Sequence, residues 1–310
     1  MKWNLPAVAI TLLAAVVQGM DLTFLATSDP QCSEERAVSI RATIAEMNEI
    51  TARRWPAAFG AEPVGCPRGV VVLGDLVEKT GRAVEWNRFA GDFGLDGTDG
   101  LLKYPVFEGW GNHDGPAERE QIKKRNQVRL ERKLIQHISQ NGLHYSWDWD
   151  GVHFVQLNLY PGIHAEGRND PMDSLDFLKT DLATQVGDSG RPVVLLHHYD
   201  LQNFKWWRAE EIRAYRDAIQ PYRILLICHG HSGLGVYTWN GYDVINTGQT
   251  ENGFFAVRIT DRRLQLAYRA RPSGTWSLHL MLNAKRVSDQ WWQPVGLSSW
   301  KALARHAIRS

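Results

Sequence analysis

Three aspartates, two asparagines and a set of histidines stand in short polar clusters, each closing a hydrophobic run of strand character. The clusters are Ser28-Asp29-Pro30-Gln31, Gly74-Asp75, Gly111-Asn112-His113-Asp114, His197-His198 and His229-Gly230-His231, followed by Asn246-Thr247-Gly248. Carboxylate, imidazole and amide oxygen are the side chains that hold hard and borderline cations. Placed on loops just after strands, they can converge on one crevice at the ends of a buried sheet. The outline is that of a site for two metal ions. His229 and His231 stand at i and i+2, a spacing that in extended chain faces one side and can reach adjacent ions.

Strands must carry these clusters. Apolar or β-branched runs bounded by Gly, Pro or Asp predict them at 22–27, 70–73, 105–108, 152–159, 193–196, 224–228, 242–246, 254–259 and 264–269. Apolar residues at three- and four-residue spacing predict helices at 34–54, 117–140, 174–184 and 209–218. Helices alternate with strands early and strands dominate later, the pattern of an α/β sandwich of two mixed β-sheets flanked by helices. The turn-rich stretch 91–100, directly before the Asn112 cluster, is expected to form a loop at the site mouth.

The chain has 310 residues, 44% hydrophobic and 22% charged, enough to bury a substantial core. Its net charge of +1 gives no global field to attract nucleic acid or acidic lipid. Lys2, an apolar run over 5–17 and Gln18-Gly19 read as a signal peptide over 1–19, too short for a stable membrane span, and predict export to the periplasm or medium. Of three cysteines, Cys32 and Cys66 flank strands and form the plausible disulfide pair, while Cys228 reads as a small buried thiol. Residues 271–310, with Trp291-Trp292 and a basic tail through Lys301, Arg305 and Arg309, read as a peripheral extension of a domain spanning 21–270.

Taken in order, the Asp29, Asp75, Asn112-His113-Asp114, His197 and His229/His231 clusters resemble the calcineurin-like metallophosphoesterases, the superfamily that includes purple acid phosphatases. The resemblance runs from about Asp21 to about Ile259. Two positions depart from it: Gln31 stands where most members carry His, and Cys228 where the last motif carries Gly. The resemblance implies a hydrolase of phosphate esters, foremost a phosphomonoesterase with a phosphodiesterase as the alternative, acting through hydroxide held between two ions of Mn, Fe or Zn. It places Asp29, Gln31, Asp75 and His231 around the first ion, and Asp75, Asn112, His197 and His229 around the second. His113 becomes the catalytic histidine and Asp114 the residue that orients it.

His198 is expected to contact substrate, since such pairs place the ligand first. Trp206-Trp207 form either an apolar wall for an organic leaving group or an anchor for their own loop. Gln31, a weaker donor than imidazole, is expected to loosen the first site toward Mn or Fe, so that the second fills first. The basic stretch 119–133, interleaved with Glu118, Glu120 and Glu131, reads as a solvated helix face. The expected partner is a small-molecule or lipid-headgroup phosphate ester and not nucleic acid. Oligomeric state is left open, and a binding protein that kept the fold without catalysis is the rival reading, favoured by Gln31.

Overall fold

The computed structural model describes residues 19–165, 169–202, 206–283 and 293–294. In chain order the elements are β1 (Asp21–Thr27), α1 (Ala37–Asn48), β2 (Val70–Leu73), α2 (Ala83–Phe93), β3 (Val106–Gly109), α3 (Pro116–Glu131), β4 (His137–Ile138), β5 (Tyr145–Trp149), β6 (Val152–Gln156), α4 (Ser174–Asp181), β7 (Val193–Leu196), α5 (Ala209–Ile219), β8 (Ile224–His229), β9 (Leu234–Trp239), β10 (Tyr242–Thr247), β11 (Gly253–Thr260), β12 (Arg263–Ala270), β13 (Thr275–Asn283) and β14 (Gln293–Pro294).

These strands make two seven-stranded mixed sheets, ordered β14-β13-β12-β11-β1-β2-β3 and β4-β5-β6-β7-β8-β10-β9. In the first, β1, β2 and β3 run parallel; in the second, β6, β7, β8 and β10 do. Alternation along each strand sorts the core into two layers. Leu22, Phe24, Val71, Leu73, Phe107, Phe154, Leu196, Cys228 and Phe255 meet between the sheets. The contacts of Phe24 with Phe154 at 5.2 Å and of Phe107 with Trp147 at 4.4 Å between ring centroids span that layer. Leu25, Val72, Leu195, Ile227 and Ala256 face outward and are covered by Ile40 and Ile44 of α1, Trp86 and Phe89 of α2, Leu178 of α4 and Tyr215 of α5.

The α/β sandwich is as expected, with local differences. The helix expected over 34–54 stops at Asn48, and that over 117–140 stops at Glu131 because the chain turns into the edge strand β4. Helix α2 and strands β5, β9 and β13 carry no sequence expectation. β13 pairs with β12 along its whole length, so the first sheet continues past residue 270. Stretch 91–100 lies away from the crevice: Asp96 bridges Pro105 and Val106 N–H donates to Leu95 O at 3.0 Å, which fixes the loop at the amino end of β3. Cys32 and Cys66 are unpaired; β1 and β2 are parallel, so a residue just past the end of β1 and one just before the start of β2 lie at opposite ends of the sheet. Arg125 and Arg129 turn inward to the buried Glu108 rather than sharing the solvated face of α3. The segment over 1–18, Trp291-Trp292 and the basic tail lie outside the described residues. Among the described residues no helix is long and apolar enough to cross a membrane.

Candidate metal centre and crevice

The carboxyl ends of β1, β2, β3, β7 and β8 converge, and the polar clusters sit on the loops that leave them. Four residues there, Asp29, Gln31, Asp75 and His231, take left-handed backbone conformations with φ of 49°, 39°, 53° and 70°. Non-glycine residues rarely adopt them, and such strain gathers at functional sites. Two glycines permit the close approach: a Cβ on Gly111 would strike the Asp75 carboxylate and His198, and one on Gly230 would strike Ser28 and Asp29.

Asp75, His198 and His231 each offer one ligand atom within 4.8 Å of the others. His198 Nε2 lies 3.3 Å from Asp75 Oδ1 and 3.1 Å from Asn112 Oδ1, while its Nδ1 is 2.7 Å from Leu73 O. Asp29 lies behind the group, accepting from Ser28 Oγ and from His231 N–H at 3.1 Å. Gln31 Oε1 is buried without a hydrogen-bond partner among the described residues, an orphaned acceptor in a cluster of ligands. Burial raises the Asp75 carboxyl, but His198 overrides it and holds Asp75 down at about 2. Burial lowers the His198 imidazole, yet Asp75 and then Asp29 push it up to about 9. Burial and the charge of His198 hold His231 down at about 4, so its lone pair is free. Burial pushes Asp29 up to about 6 against the pull of His198. An ionised carboxylate, a neutral imidazole and unpaired amide oxygen suit a divalent or trivalent cation, and the proton on His198 occupies the positive place that such a cation takes.

Two expected ligands, His197 and His229, lie elsewhere. His197 is not in the group; its ring is buried against Trp207, Tyr215 and His229, and burial followed by His229 keeps it neutral, well below the ordinary histidine range. His198 takes the position expected for it. The cause is strand parity: His197 follows Leu195 to the helix-facing side, and His198 follows Leu196 to the side between the sheets. His229, beyond Ile227, also faces the helices and stacks on His197 at 6.0 Å with 8° between ring planes. His229 and His231 therefore diverge, because β8 ends at His229 and the left-handed turn at His231 breaks the alternation.

His113 donates Nδ1–H to Glu78 O at 2.7 Å, leaving Nε2 3.9 Å from Asp75 Oδ2. Asp114 makes no direct hydrogen bond to that ring among the described residues. Its buried carboxylate instead accepts the N–H groups of Gly111 at 2.8 Å, Leu76 at 2.9 Å and Val77 at 3.1 Å. Burial and then Asp75 push its carboxyl up while those donors pull it down. Glu85 accepts the N–H of Glu78 and Lys79, and Glu118 that of Gly81 and the hydroxyl of Thr80. Three carboxylates thus fix the loop 76–81 that presents the Glu78 carbonyl to His113, a role that no spacing in the sequence signals for Glu85 or Glu118.

Trp207 is buried against Tyr160 at 5.1 Å and His197 at 5.8 Å, so it anchors its loop and forms no wall. Trp206 stacks on Tyr199 at 6.3 Å, and Tyr199 lies 4.7 Å from His231. Tyr199 is the residue that sequence reasoning missed beside the cluster; an aromatic after a His pair carries no distinguishing signal.

The profile of the calcineurin-like phosphoesterases matches residues 22–233, which hold every member of the cluster. The chain belongs to the calcineurin-like phosphoesterases. No curated protein matches this chain. Among solved structures it is similar to GAP50, the anchor in the inner membrane complex of Plasmodium, at 12% identity and a TM-score of 0.58, covering 86% of this chain and 90% of that one. TT1561 of Thermus thermophilus is 12% identical with a TM-score of 0.46, covering 85% and 99%. The calcineurin-like phosphoesterase YfkN of Bacillus subtilis is 14% identical with a TM-score of 0.41, covering 85% and 91%. The GAP50 likeness supports the two-sheet fold.

Proposed function

We propose that this calcineurin-like phosphoesterase is a metal-dependent hydrolase of phosphate esters, with monoesters as its substrate class. The observation that carries the reading is the Asp75–His198–His231 group, with the orphaned Gln31 oxygen beside it and His113 across from it. Asp75, His231 and His198, once deprotonated, would hold the cation with Asn112, Asp29 and Gln31 in support. Manganese or iron is favoured over zinc by so oxygen-rich a set. When bound, the cation supplies the charge that clamps phosphoryl oxygens and acidifies water.

The chain's own residues supply the rest. Because its Nδ1–H is held by Glu78 O, His113 turns Nε2 toward the crevice, where it can hold or hand over a proton at the leaving oxygen. Trp206, stacked on the buried Tyr199, gives the leaving group a flat apolar neighbour. Export after removal of residues 1–19 belongs to the same reading, since β1 begins at Asp21, beyond the cut.

The purified protein is assayed with p-nitrophenyl phosphate and bis-p-nitrophenyl phosphate in the presence of Mn²⁺. Turnover favouring the monoester is expected. Preference for the diester would reassign the substrate class, and inertness toward both and toward natural phosphate esters would support a non-catalytic binder.

A further inference from the structure

Asn158 lies buried just past β6, a strand whose end supplies none of the side chains of the metal group. Its backbone is left-handed, with φ of 61°, a conformation that asparagine adopts more readily than most residues. Its main-chain oxygen accepts the His198 N–H at 2.7 Å, a hydrogen shared with Leu159 O at 3.2 Å. In its side chain Oδ1 accepts the Trp110 N–H at 3.1 Å, while Nδ2 donates to Leu143 O and to His144 Nδ1, both at 3.0 Å. The amide has one workable orientation. His144 Nε2 lies 2.9 Å from Met172 O, so Nε2 carries the ring hydrogen and Nδ1 the lone pair, and burial holds that ring neutral with a pKa of about 4. Turned over, the amide would set a donor against the Trp110 N–H and an acceptor against Leu143 O.

The two residues it holds belong to different sheets. Trp110 directly precedes Gly111-Asn112-His113 at the end of β3 in the first sheet, and His198 follows β7 in the second. The metal group is itself drawn from both, Asp75 from the loop after β2 and His198 and His231 from the loops after β7 and β8. Its geometry therefore depends on what fastens the two sheet ends together. A hydrogen bond made by a ligand atom, such as that of His198 Nε2 with Asn112 Oδ1, is given up when the atom turns to a cation. The bonds of Asn158 engage the main-chain N–H groups of Trp110 and His198 and no ligand side chain, so they hold with and without metal.

We propose that Asn158 is a positioning residue of the metal centre, tying the Asn112-His113 turn of one sheet to His198 of the other so that the cation and the His113 ring meet the same phosphoryl group. The inference rests on the metal-site reading above. Asn158 acts through Trp110 and His198 and not on the substrate. In the sequence it is one position of the run 152–159 that reads as strand, and its role follows from the end of β6 at Gln156 and the left-handed turn beyond it.

Asn158→Gly tests this, because glycine keeps the left-handed backbone and the carbonyl bond to His198 while deleting the amide. In calorimetric titration the folded variant is expected to bind Mn²⁺ about tenfold more weakly than the wild type. At saturating Mn²⁺ its kcat for p-nitrophenyl phosphate is expected to fall about tenfold as well, the size of loss that groups supporting a metal ligand cause. A variant that is less stable to urea but keeps wild-type affinity and kcat would overturn the tie while leaving the metal site standing. Binding of no Mn²⁺ by the wild type would overturn the metal-site reading and the tie with it. A second measurement needs no variant: in the metal-free wild type the Trp110 and His198 amide hydrogens should exchange with solvent as slowly as those of the buried strands, although both residues lie past strand ends. Exchange at the rate of an open loop would overturn the tie.

Discussion

His198 Nε2 stands 3.3 Å from Asp75 Oδ1, and both nitrogens of the His198 ring face acceptors. Such a ring is held as imidazolium; burial opposes that charge, but Asp75 and Asp29 together push its pKa up to about 9. A cation must therefore displace a proton. Below about pH 9 the affinity for Mn²⁺ is expected to fall about tenfold for each unit of pH, as one-proton exchange requires. Dissociation constants measured between pH 6.5 and 8.5 check this; an affinity flat across that range would show that His198 is not a ligand.

Adjacent histidines on opposite faces of one strand end should separate cleanly. His198→Ala removes a member of the ligand group and should weaken Mn²⁺ binding by about 100-fold or more, since even residues that only support a ligand can cost that much. His197→Ala should bind Mn²⁺ as the wild type does but lose about 2–4 kcal/mol of stability, the cost of emptying a buried ring site. Metal content after dialysis and thermal unfolding of both variants decide it, and loss of metal from the His197 variant alone would restore the expected assignment.

His113→Ala should load metal normally and lose most activity, with a larger loss for alkyl than for nitrophenyl esters, because a poor leaving group depends more on a proton donor. Equal losses would assign His113 to charge stabilisation of the phosphoryl group.

Far from the crevice, His153 is buried between Asp148 at 2.7 Å and Asp181 at 2.7 Å, with Ser146 on Asp181 and Arg191 on Asp148. Burial lowers its pKa, but the two carboxylates outweigh this and raise it above the ordinary value of 6.5. A raised native pKa adds stability that is fully present below the unfolded value and is lost as pH rises through the native one. Stability should therefore decline from about pH 6 upward, the region of the free histidine, and His153→Gln should flatten that part of the profile. Urea unfolding at a series of pH values measures it; parallel profiles would mean that folding leaves the His153 pKa unchanged.

Much of this was legible in the sequence because the chemistry sits where strands end. Polar clusters after Thr27, Leu73, Gly109, Leu196 and His229 announced both the strands and the crevice they share. Parity was not legible: Val193, Val194, Leu195 and Leu196 are all buried, so no alternation shows which of His197 and His198 faces the second sheet. The partner of Asp114 was hidden because it is backbone, and the position of stretch 91–100 depends on a bridge to Pro105 that no local pattern encodes. The four left-handed residues at the site owe their conformation to the tertiary structure around them.

On the proposed reading, Asp75, His198 and His231 hold the cation on which hydrolysis depends. Metal-free protein is titrated with Mn²⁺ while hydrolysis of p-nitrophenyl phosphate and bound metal are followed together. Activity is expected to be absent at zero equivalents, to rise with metal occupancy and to vanish in His198→Ala at any loading. Hydrolysis by the metal-free protein, or wild-type turnover in His198→Ala, would contradict the account.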